Sequence, residues 1–174
     1  NQRIRILAVP DKLIVYTSHL NLDPIIYKGV SALTVEAQRN MPEVKTTNYH
    51  TCLSAAKKAT VANCFDAILC DKDGNVFEGS KSNVFWVKTG KLTTRKKDVL
   101  PGTTRQMIID KSPITVHYGK LKISDVAGID ELLLTNSGSG VVPILKVDKN
   151  TIGDGTVGRI TRELMDNYTG WLRD

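Results

Sequence analysis

The stretch FDAILCDKDGNVFEGSKSNVFWVKTGKLTT, residues 65–94, carries the strongest local signals in the chain. Its apolar run Phe65–Cys70 predicts a buried strand, and the polar string DKDGN that follows is typical of a tight turn. Glu78 then enters a turn of small polar residues. Two further strands are predicted at residues 83–88 and 91–94, joined by the turn Thr89-Gly90. Three strands joined by short turns indicate that a sheet is part of the framework of the fold.

Upstream of this stretch, the sequence predicts three strands and one helix. The strands are predicted at residues 4–9, 13–17 and 29–36. An irregular segment that contains Lys45 follows the third strand. The helix runs from about residue 49 to 62, because Leu53, Ala56 and Ala59 recur at helical spacing and predict an apolar face.

Downstream of the same stretch, Thr103 and Thr104 open a short predicted helix, with a threonine near the capping position. The remaining predicted elements are strands at 114–118, 131–135 and 141–147, a short helix at 124–127 and a final helix at 156–168. Because strands and helices alternate throughout, the chain is predicted to form a mixed α/β domain. A length of 174 residues is enough for one well-buried core.

The composition is that of a globular protein, with 41% hydrophobic and 24% charged residues. The formal net charge is +6, but the basic residues are scattered and the densest run is only Arg95-Lys96-Lys97. Nucleic-acid-binding proteins concentrate such charge on one face and add stacking aromatics, which are only 6% of this chain. We therefore expect no nucleic-acid partner. Since no run of 18 apolar residues occurs, we expect no membrane-spanning segment.

Cysteine and histidine usage indicates a reducing compartment and no metal site. Cys52, Cys64 and Cys70 are odd in number and not tightly spaced, which is atypical of a disulfide framework and suits the cytoplasm. The histidines are equally dispersed, and no second ligand pair accompanies His50 and Cys52. The cysteines are predicted to be small core side chains rather than reactive thiols.

Three features that are far apart in the chain complement one another chemically. Lys45 lies in an irregular segment between a strand and a helix, and Glu78 lies in a polar turn before a strand. The segments 102–104 and 137–139 offer hydroxyls and backbone N–H groups, which suit a phosphate, above all at a helix N-terminus. Catalysis with pyridoxal 5′-phosphate (PLP) needs such an amine, an acid beside the pyridine nitrogen and a phosphate cradle.

Four strings of the sequence resemble class IV aminotransferases in order and approximate spacing: VKTTNYHTCLSAAKKA, residues 65–94, VLPGTTRQMIID and ELLLTNSGSGVVPILKVD. This family of fold-type IV enzymes holds branched-chain aminotransferases, D-amino acid aminotransferases and aminodeoxychorismate lyase. The resemblance covers essentially the whole chain. It implies a mixed α/β (α+β) fold of the D-amino acid aminotransferase type, in which the large C-terminal domain has a partly barrel-like sheet, and it implies PLP as the cofactor.

The resemblance assigns roles to individual residues. Lys45 matches the catalytic lysine that forms the Schiff base with PLP, and Glu78 matches the glutamate that pairs with the pyridine nitrogen. Thr104, with the backbone of Thr103, matches the phosphate-binding turn. Ser137 matches the hydroxyl residue of a second phosphate loop.

Further matches lie beside these positions. Gly138 and Ser139 are expected to line the cofactor or the substrate carboxylate. Tyr49 matches the tyrosine that hydrogen-bonds the phenolic oxygen of PLP in branched-chain enzymes, although it stands one residue nearer to Lys45. Gly140 departs from the pattern, since many members have glutamate there.

The resemblance also implies a larger enzyme with partners. Family members carry an N-terminal domain of roughly a hundred residues, which supplies an arginine to the phosphate. We expect that domain to precede Asn1, with residues 1–36 as strands leading out of it and residues 37–174 as the PLP-binding large domain. Since family members are dimers, a homodimer is expected.

Two reactions and an inactive state remain open. The leading hypothesis is transfer of an amino group between an α-amino acid, branched-chain or D-amino acid-like, and an α-keto acid such as 2-oxoglutarate. A lyase reaction like that of aminodeoxychorismate lyase would use the same cofactor and residues. The third hypothesis is a catalytically silent fragment. We expect residues 1–174 alone to bind PLP weakly and to be inactive, because the arginine of the N-terminal domain is missing.

Overall fold

The computed structural model describes residues 2–172, which contain eleven strands, and nine of these form one large mixed sheet. The strands are β1 (Gln2–Val9), β2 (Lys12–His19), β3 (Val30–Glu36), β4 (Asp66–Cys70), β5 (Val76–Gly79), β6 (Asn83–Lys88), β7 (Lys91–Thr94), β8 (Val116–Tyr118), β9 (Glu131–Asn136), β10 (Gly140–Val147) and β11 (Asn150–Thr151). The order in the large sheet is β5-β4-β3-β10-β9-β6-β7-β8, and β11 pairs with β10. The sheet curls into a half-barrel.

Three α-helices pack against this sheet: α1 (His50–Val61), α2 (Thr103–Lys111) and α3 (Arg159–Trp171). Two short 3-10 helices, Pro24–Lys28 and Ile123–Gly128, complete the described elements. The prediction of a mixed α/β fold with a partly barrel-like sheet is confirmed. Among the described residues, no helix has the length and apolar character needed to cross a membrane.

Alternate side chains of a strand point to opposite sides of the sheet, and in the central strands the side chains on both sides are buried. One apolar cluster contains Val84, Trp86, Leu132 and Leu134, and a second contains Phe85, Val87 and Leu133. Ile108 of α2 and Leu164 of α3 belong to the second cluster, so these two helices cover that face. Burial of each large apolar side chain stabilises the fold by about 1.5–3 kcal/mol.

Helix α1 lies on β3 and β4 through small side chains. Cys52, Ala55 and Ala59 are buried, whereas Leu53 is 67% exposed. The prediction that Leu53 belongs to the apolar face was therefore wrong. Small side chains let the helix approach the sheet closely, and the side chain of Leu53 points away from that contact face.

Several elements differ from those predicted, and two of the differences concern Glu78 and the last helix. Residues 76–79 form β5, paired with β4 through Ile68↔Gly79 and Cys70↔Val76, so Glu78 lies in a buried strand and not in a turn. The last helix begins at Arg159 and not at residue 156. Its first turn is capped by Glu131 of β9, a partner 29 residues upstream that no local pattern reveals.

Strands β1 and β2 form a separate two-stranded sheet, whereas β3 belongs to the large sheet. Every residue of β2 is exposed, and so are most residues of β1. The exposed large apolar side chains of this hairpin are Ile4, Ile6, Leu13, Ile14, Val15 and Tyr16. The hairpin therefore lacks a packed core among the described residues.

We predict that Glu131→Ala lowers the free energy of unfolding by about 1–3 kcal/mol. The carboxylate accepts the backbone N–H groups of Ile160 (3.0 Å) and Thr161 (2.7 Å) and the hydroxyl of Thr161, and all three bonds would be lost. Urea unfolding followed by circular dichroism measures the change. Glu163→Ala is the matched control, since its pair with Arg159 is exposed and its removal should cost under about 1 kcal/mol. Equal losses in the two variants would contradict the capping role.

Candidate active site

The carboxylate of Glu78 is the buried charge around which the candidate site is arranged. Residue 78 is only 3% exposed, in the middle of β5. Its Oε1 accepts a hydrogen bond and ion pair from Nη1 of Arg39 at 3.0 Å. Its Oε2 accepts the backbone N–H of Leu100 at 2.9 Å and lies 3.5 Å from Nδ2 of Asn83. Since a carboxylate offers about four lone-pair positions, Glu78 can accept one further donor.

Burial and hydrogen bonding act on Glu78 in opposite directions. Burial raises the pKa of the Glu78 carboxyl above its ordinary value of 4.5. The Leu100 N–H group, the Arg39 guanidinium and the more distant Lys45 ammonium oppose that rise, because each stabilises the anion. Because burial disfavours the charged form of Glu78, another cation placed beside the carboxylate would stabilise that form.

Arg39 connects Glu78 to the segment that presents Lys45. Besides the ion pair, its Nη1 donates to the carbonyl of Pro42 and its Nη2 donates to the carbonyl of Val44, both at 2.9 Å. Lys45 is the next residue and is exposed. One guanidinium therefore links the irregular segment before α1 to the buried carboxylate of β5.

The N-terminus of α2 lies on the other side of Glu78. Gly102 is the N-cap residue, and no side chain caps the helix, so the prediction of a threonine cap was wrong. A side chain at Gly102 would collide with Oδ1 of Asn83, which explains why glycine stands there. Within the described part of the chain, the N–H groups of Thr103, Thr104 and Arg105 have no recorded acceptor. Three free N–H groups at a helix N-terminus can bind a phosphate.

The loop between β9 and β10 holds the other predicted phosphate segment. Oδ1 of Asn136 accepts the N–H groups of Gly138 and Ser139, at 2.9 and 2.8 Å, so these two donors are already engaged. Ser137 is exposed and its hydroxyl remains available. The buried Nδ2 of Asn136 and Oγ1 of Thr135 have no partner among the described residues. These orphaned polar atoms indicate that a polar group fits beside the loop.

Tyr168 of α3 brings the two predicted phosphate segments together. Its hydroxyl lies 3.4 Å from Oγ1 of the buried Thr104, and its ring lies against Gly140 at the end of the loop. Gly140 has a φ of +67°, and a Cβ atom there would lie 2.5 Å from Cε1 of Tyr168. The tyrosine ring occupies the space that a side chain at residue 140 would need, which accounts for the glycine.

The structure does not link every predicted residue to this site. Tyr49 precedes α1, is 42% exposed, and has no recorded side-chain hydrogen bond within residues 2–172. Arg3 of β1, which the sequence analysis did not single out, lies close to the 137–139 loop. Its Nη2 is 3.3 Å from the position that a Cβ atom of Gly138 would take.

Other residues that support the site were also missed by sequence reasoning. Asp66, which is fully buried at the start of β4, accepts the hydroxyls of Ser80 and Ser82 and thereby fixes the turn after Glu78. The string EGSKSN contains both serines, so its density of small polar residues was the available signal. Nothing local marks Arg39 or Tyr168, because their partners are distant in sequence.

The cysteines are consistent with structural roles. Cys52 and Cys70 are buried, Cys64 is half-buried, and burial raises the pKa of each thiol. A raised pKa leaves less of the reactive thiolate at neutral pH. No group of three or more histidine, cysteine or acidic residues suited to a metal ion occurs within the described residues.

The chain matches the sequence pattern of the amino-transferase class IV family over residues 6–147. It belongs to this family. A Methanocaldococcus jannaschii protein assigned as a branched-chain-amino-acid aminotransferase is 33% identical over 150 residues, which are 80% of this chain and 52% of the relative. A D-alanine aminotransferase of Staphylococcus haemolyticus is 28% identical over 83% of this chain and 53% of its own length. The chain thus spans about half the length of these relatives.

Solved structures agree with this assignment. A Thermotoga maritima protein assigned as a branched-chain amino acid aminotransferase superposes with a TM-score of 0.84, at 28% identity over 99% of this chain and 66% of that chain. The T.th. branched-chain amino acid aminotransferase, in complex with N-(5′-phosphopyridoxyl)-L-glutamate, gives a TM-score of 0.76. It is 27% identical over 83% of this chain and 51% of that chain.

We predict that Arg39→Leu lowers the free energy of unfolding by about 3 kcal/mol or more, because it leaves the buried Glu78 carboxylate without its cation. The pKa of Glu78 is already raised by burial, and the variant raises it further. A raised folded-state pKa means that stability falls as pH rises through that pKa. The deficit should therefore be larger at neutral pH than in acid, as urea titrations at both pH values would show.

The double variant Arg39→Leu/Glu78→Gln is the matched control for this prediction. Removing both charges leaves no unpaired ion, so the double variant should lose less stability than the sum of the two single variants. Additive losses, or a deficit for Arg39→Leu that does not change with pH, would contradict the ion pair.

Proposed function

We propose that this chain is the PLP-binding part of an aminotransferase that moves an amino group between an α-amino acid, branched-chain or D-amino acid-like, and an α-keto acid such as 2-oxoglutarate. The observation that carries the proposal is the buried Glu78 carboxylate, held between the segment that presents Lys45 and the start of α2. When bound, PLP supplies a protonated pyridine ring that accepts the electrons released at the substrate Cα.

Glu78 would bind the ring nitrogen through its remaining acceptor position. Its neighbours support this role, since Arg39 favours the anionic form of the carboxylate, while burial, which raises the pKa of Glu78, makes a second positive partner favourable. A protonated pyridine nitrogen is such a partner. Asp66 binds Ser80 and Ser82 and so fixes the turn that follows β5. This would keep the Glu78 carboxylate directed at the ring nitrogen.

The first turn of α2 would hold the phosphate group. Its N–H groups at residues 103–105 lack acceptors within the described part of the chain, and the positive end of the helix dipole favours an anion. Leu100 donates its N–H to Glu78 only three residues before Thr103. Because of this short spacing, the acid and the phosphate cradle lie on one continuous piece of backbone. Ser137 would add a hydroxyl from the neighbouring loop.

Lys45 would form the covalent link to the cofactor and then move protons. Its Nζ would take or return a proton at the substrate Cα. This requires an unprotonated amine that stays near the reacting carbon. The Arg39 hydrogen bonds to the carbonyls of Pro42 and Val44 support that placement, because they restrain the backbone on the N-terminal side of Lys45.

Arg3 would contribute to substrate binding. Its guanidinium lies beside the 137–139 loop, where Gly138 and Ser139 are proposed to face the substrate carboxylate. Guanidinium groups bind carboxylates through paired, charge-assisted hydrogen bonds. We propose that Arg3 and this loop orient the carboxylate of the amino acid. The role of Tyr49 as a donor to the phenolic oxygen of PLP stays a prediction.

The complete enzyme is proposed to be a homodimer in which an N-terminal domain covers the hairpin of β1 and β2. The six large apolar side chains exposed on that hairpin support a covering partner. On this proposal residues 1–174 alone bind PLP weakly and turn over no substrate. A cytoplasmic location stays a prediction.

We predict that Glu78→Gln in the complete protein lowers kcat by about a hundredfold or more, while the Kd for PLP changes by less than about tenfold. The amide no longer favours the protonated ring nitrogen, whereas the phosphate contacts persist. Steady-state kinetics and PLP titration measure the two effects. Glu36→Gln, an exposed glutamate at the end of β3, is the matched control. A normal kcat with lost PLP binding would show that Glu78 is only structural.

A half-reaction distinguishes amino transfer from elimination. Mixing the PLP-loaded protein with L-leucine or D-alanine, without a keto acid, should convert the cofactor to pyridoxamine 5′-phosphate, which absorbs at a different wavelength. An enzyme that only eliminates would leave PLP unchanged and release no product, because neither donor carries a leaving group on Cβ. The donor that reacts also assigns the enantiomer. No conversion with either donor would contradict the proposed substrate class.

A further inference from the structure

The hydroxyl of Tyr168 has no role in the function proposed above. Its hydroxyl stands 3.4 Å from Oγ1 of Thr104, in the first turn of α2, while its ring lies against Gly140 at the end of the 137–139 loop. We propose, on the basis of the PLP function above, that the Tyr168 hydroxyl is a further ligand of the cofactor phosphate. It would donate a hydrogen bond to a phosphate oxygen alongside Thr104.

The spacing of the two hydroxyls favours a shared acceptor. A direct hydrogen bond between hydroxyls is usually about 2.7–2.8 Å long, so the 3.4 Å separation makes only a weak contact between them. An anionic oxygen about 2.7 Å from each hydroxyl can be placed between two donors at this distance. Each hydroxyl has a single proton, and an oxyanion that accepts from both uses both protons.

The position of the phenol is set before any ligand binds. Gly140 leaves room for the ring, since a side chain at residue 140 would meet Cε1 of Tyr168 at 2.5 Å. Helix α3, which carries the tyrosine, is anchored in the second apolar cluster by Ile160 and Leu164. Glu131 caps its first turn. Because the ring is already ordered by these contacts, binding would cost little side-chain entropy.

The location of the hydroxyl favours phosphate over other parts of the cofactor. Thr104 follows the N-cap Gly102 by two residues, so its hydroxyl lies where the unengaged N–H groups of α2 begin. These backbone donors and the helix dipole attract a doubly charged group most strongly. A neutral phenol adds a donor there without adding a charge that needs burial.

The test compares PLP with pyridoxal, which lacks the phosphate, in the complete protein. Tyr168→Phe keeps the ring on Gly140 and removes only the hydroxyl, so the affinity for PLP should fall about two- to tenfold while the affinity for pyridoxal stays unchanged. Inorganic phosphate, measured on its own, should also bind the variant more weakly than the wild type. Tyr118→Phe, an exposed tyrosine of β8, is the matched control and should change neither affinity.

A double-variant cycle with Thr104→Val adds a second measurement. If both hydroxyls bind one oxygen, the losses in PLP affinity should not be additive. An unchanged PLP affinity in Tyr168→Phe, or an equal loss for pyridoxal, would overturn the assignment. Failure of the proposed function looks different. In that case the wild-type protein would bind PLP no better than pyridoxal, whereas failure of this inference alone leaves the wild-type preference for PLP in place.

Discussion

The ion pair between Arg39 and Glu78 is the interaction on which the candidate site depends. Side-chain exposures of 12% and 4% mean that both charges are largely withdrawn from water. Desolvation of such a pair costs several kcal/mol, so the pair persists only where hydrogen bonds complete the shell of both ions. Here those bonds come from the backbone at residues 42, 44 and 100. One buried carboxylate therefore restrains two distant segments of the chain.

The same ion pair also determines which segments of the chain meet at the site. The carbonyls that Arg39 binds come just before Lys45, and the N–H group that Glu78 accepts comes just before α2. The segment that presents Lys45 and the segment that leads into α2 are consequently both tied to the acid at β5. A buried charge contributes little to net stability, and such groups concentrate at functional sites. The family relationship is in accord with this reasoning, since the pattern of class IV aminotransferases spans all three segments.

Much of this arrangement could be predicted from the sequence, and the remainder depends on tertiary contacts. Apolar runs and tight turns predicted the strands around residues 65–94, because local period and turn chemistry determine them. The motif strings also predicted Lys45, Glu78 and Thr104. Arg39 carried no signal, since its ionic partner is 39 residues away.

Other errors have similar causes. Leu53 was wrongly predicted to lie on the apolar face of α1, because an exposed leucine can satisfy helical spacing equally well. The role of Gly140 was obscure in the sequence, because the ring that requires it belongs to α3, 28 residues further on. The 137–139 loop offered free N–H groups in the sequence, but Asn136 engages two of them. Such competition between side chain and ligand for a backbone donor cannot be read from composition.

The most direct test of the account is to find which residue carries the cofactor. The complete protein would be loaded with PLP, reduced with borohydride, digested and mapped by mass spectrometry. The account predicts one pyridoxyl group, on the peptide that contains Lys45, and none in the Lys45→Ala variant. A Lys57→Ala variant, which lacks an exposed lysine of α1, should label like the wild type. A pyridoxyl group on another lysine, or no label at all, would contradict the central claim.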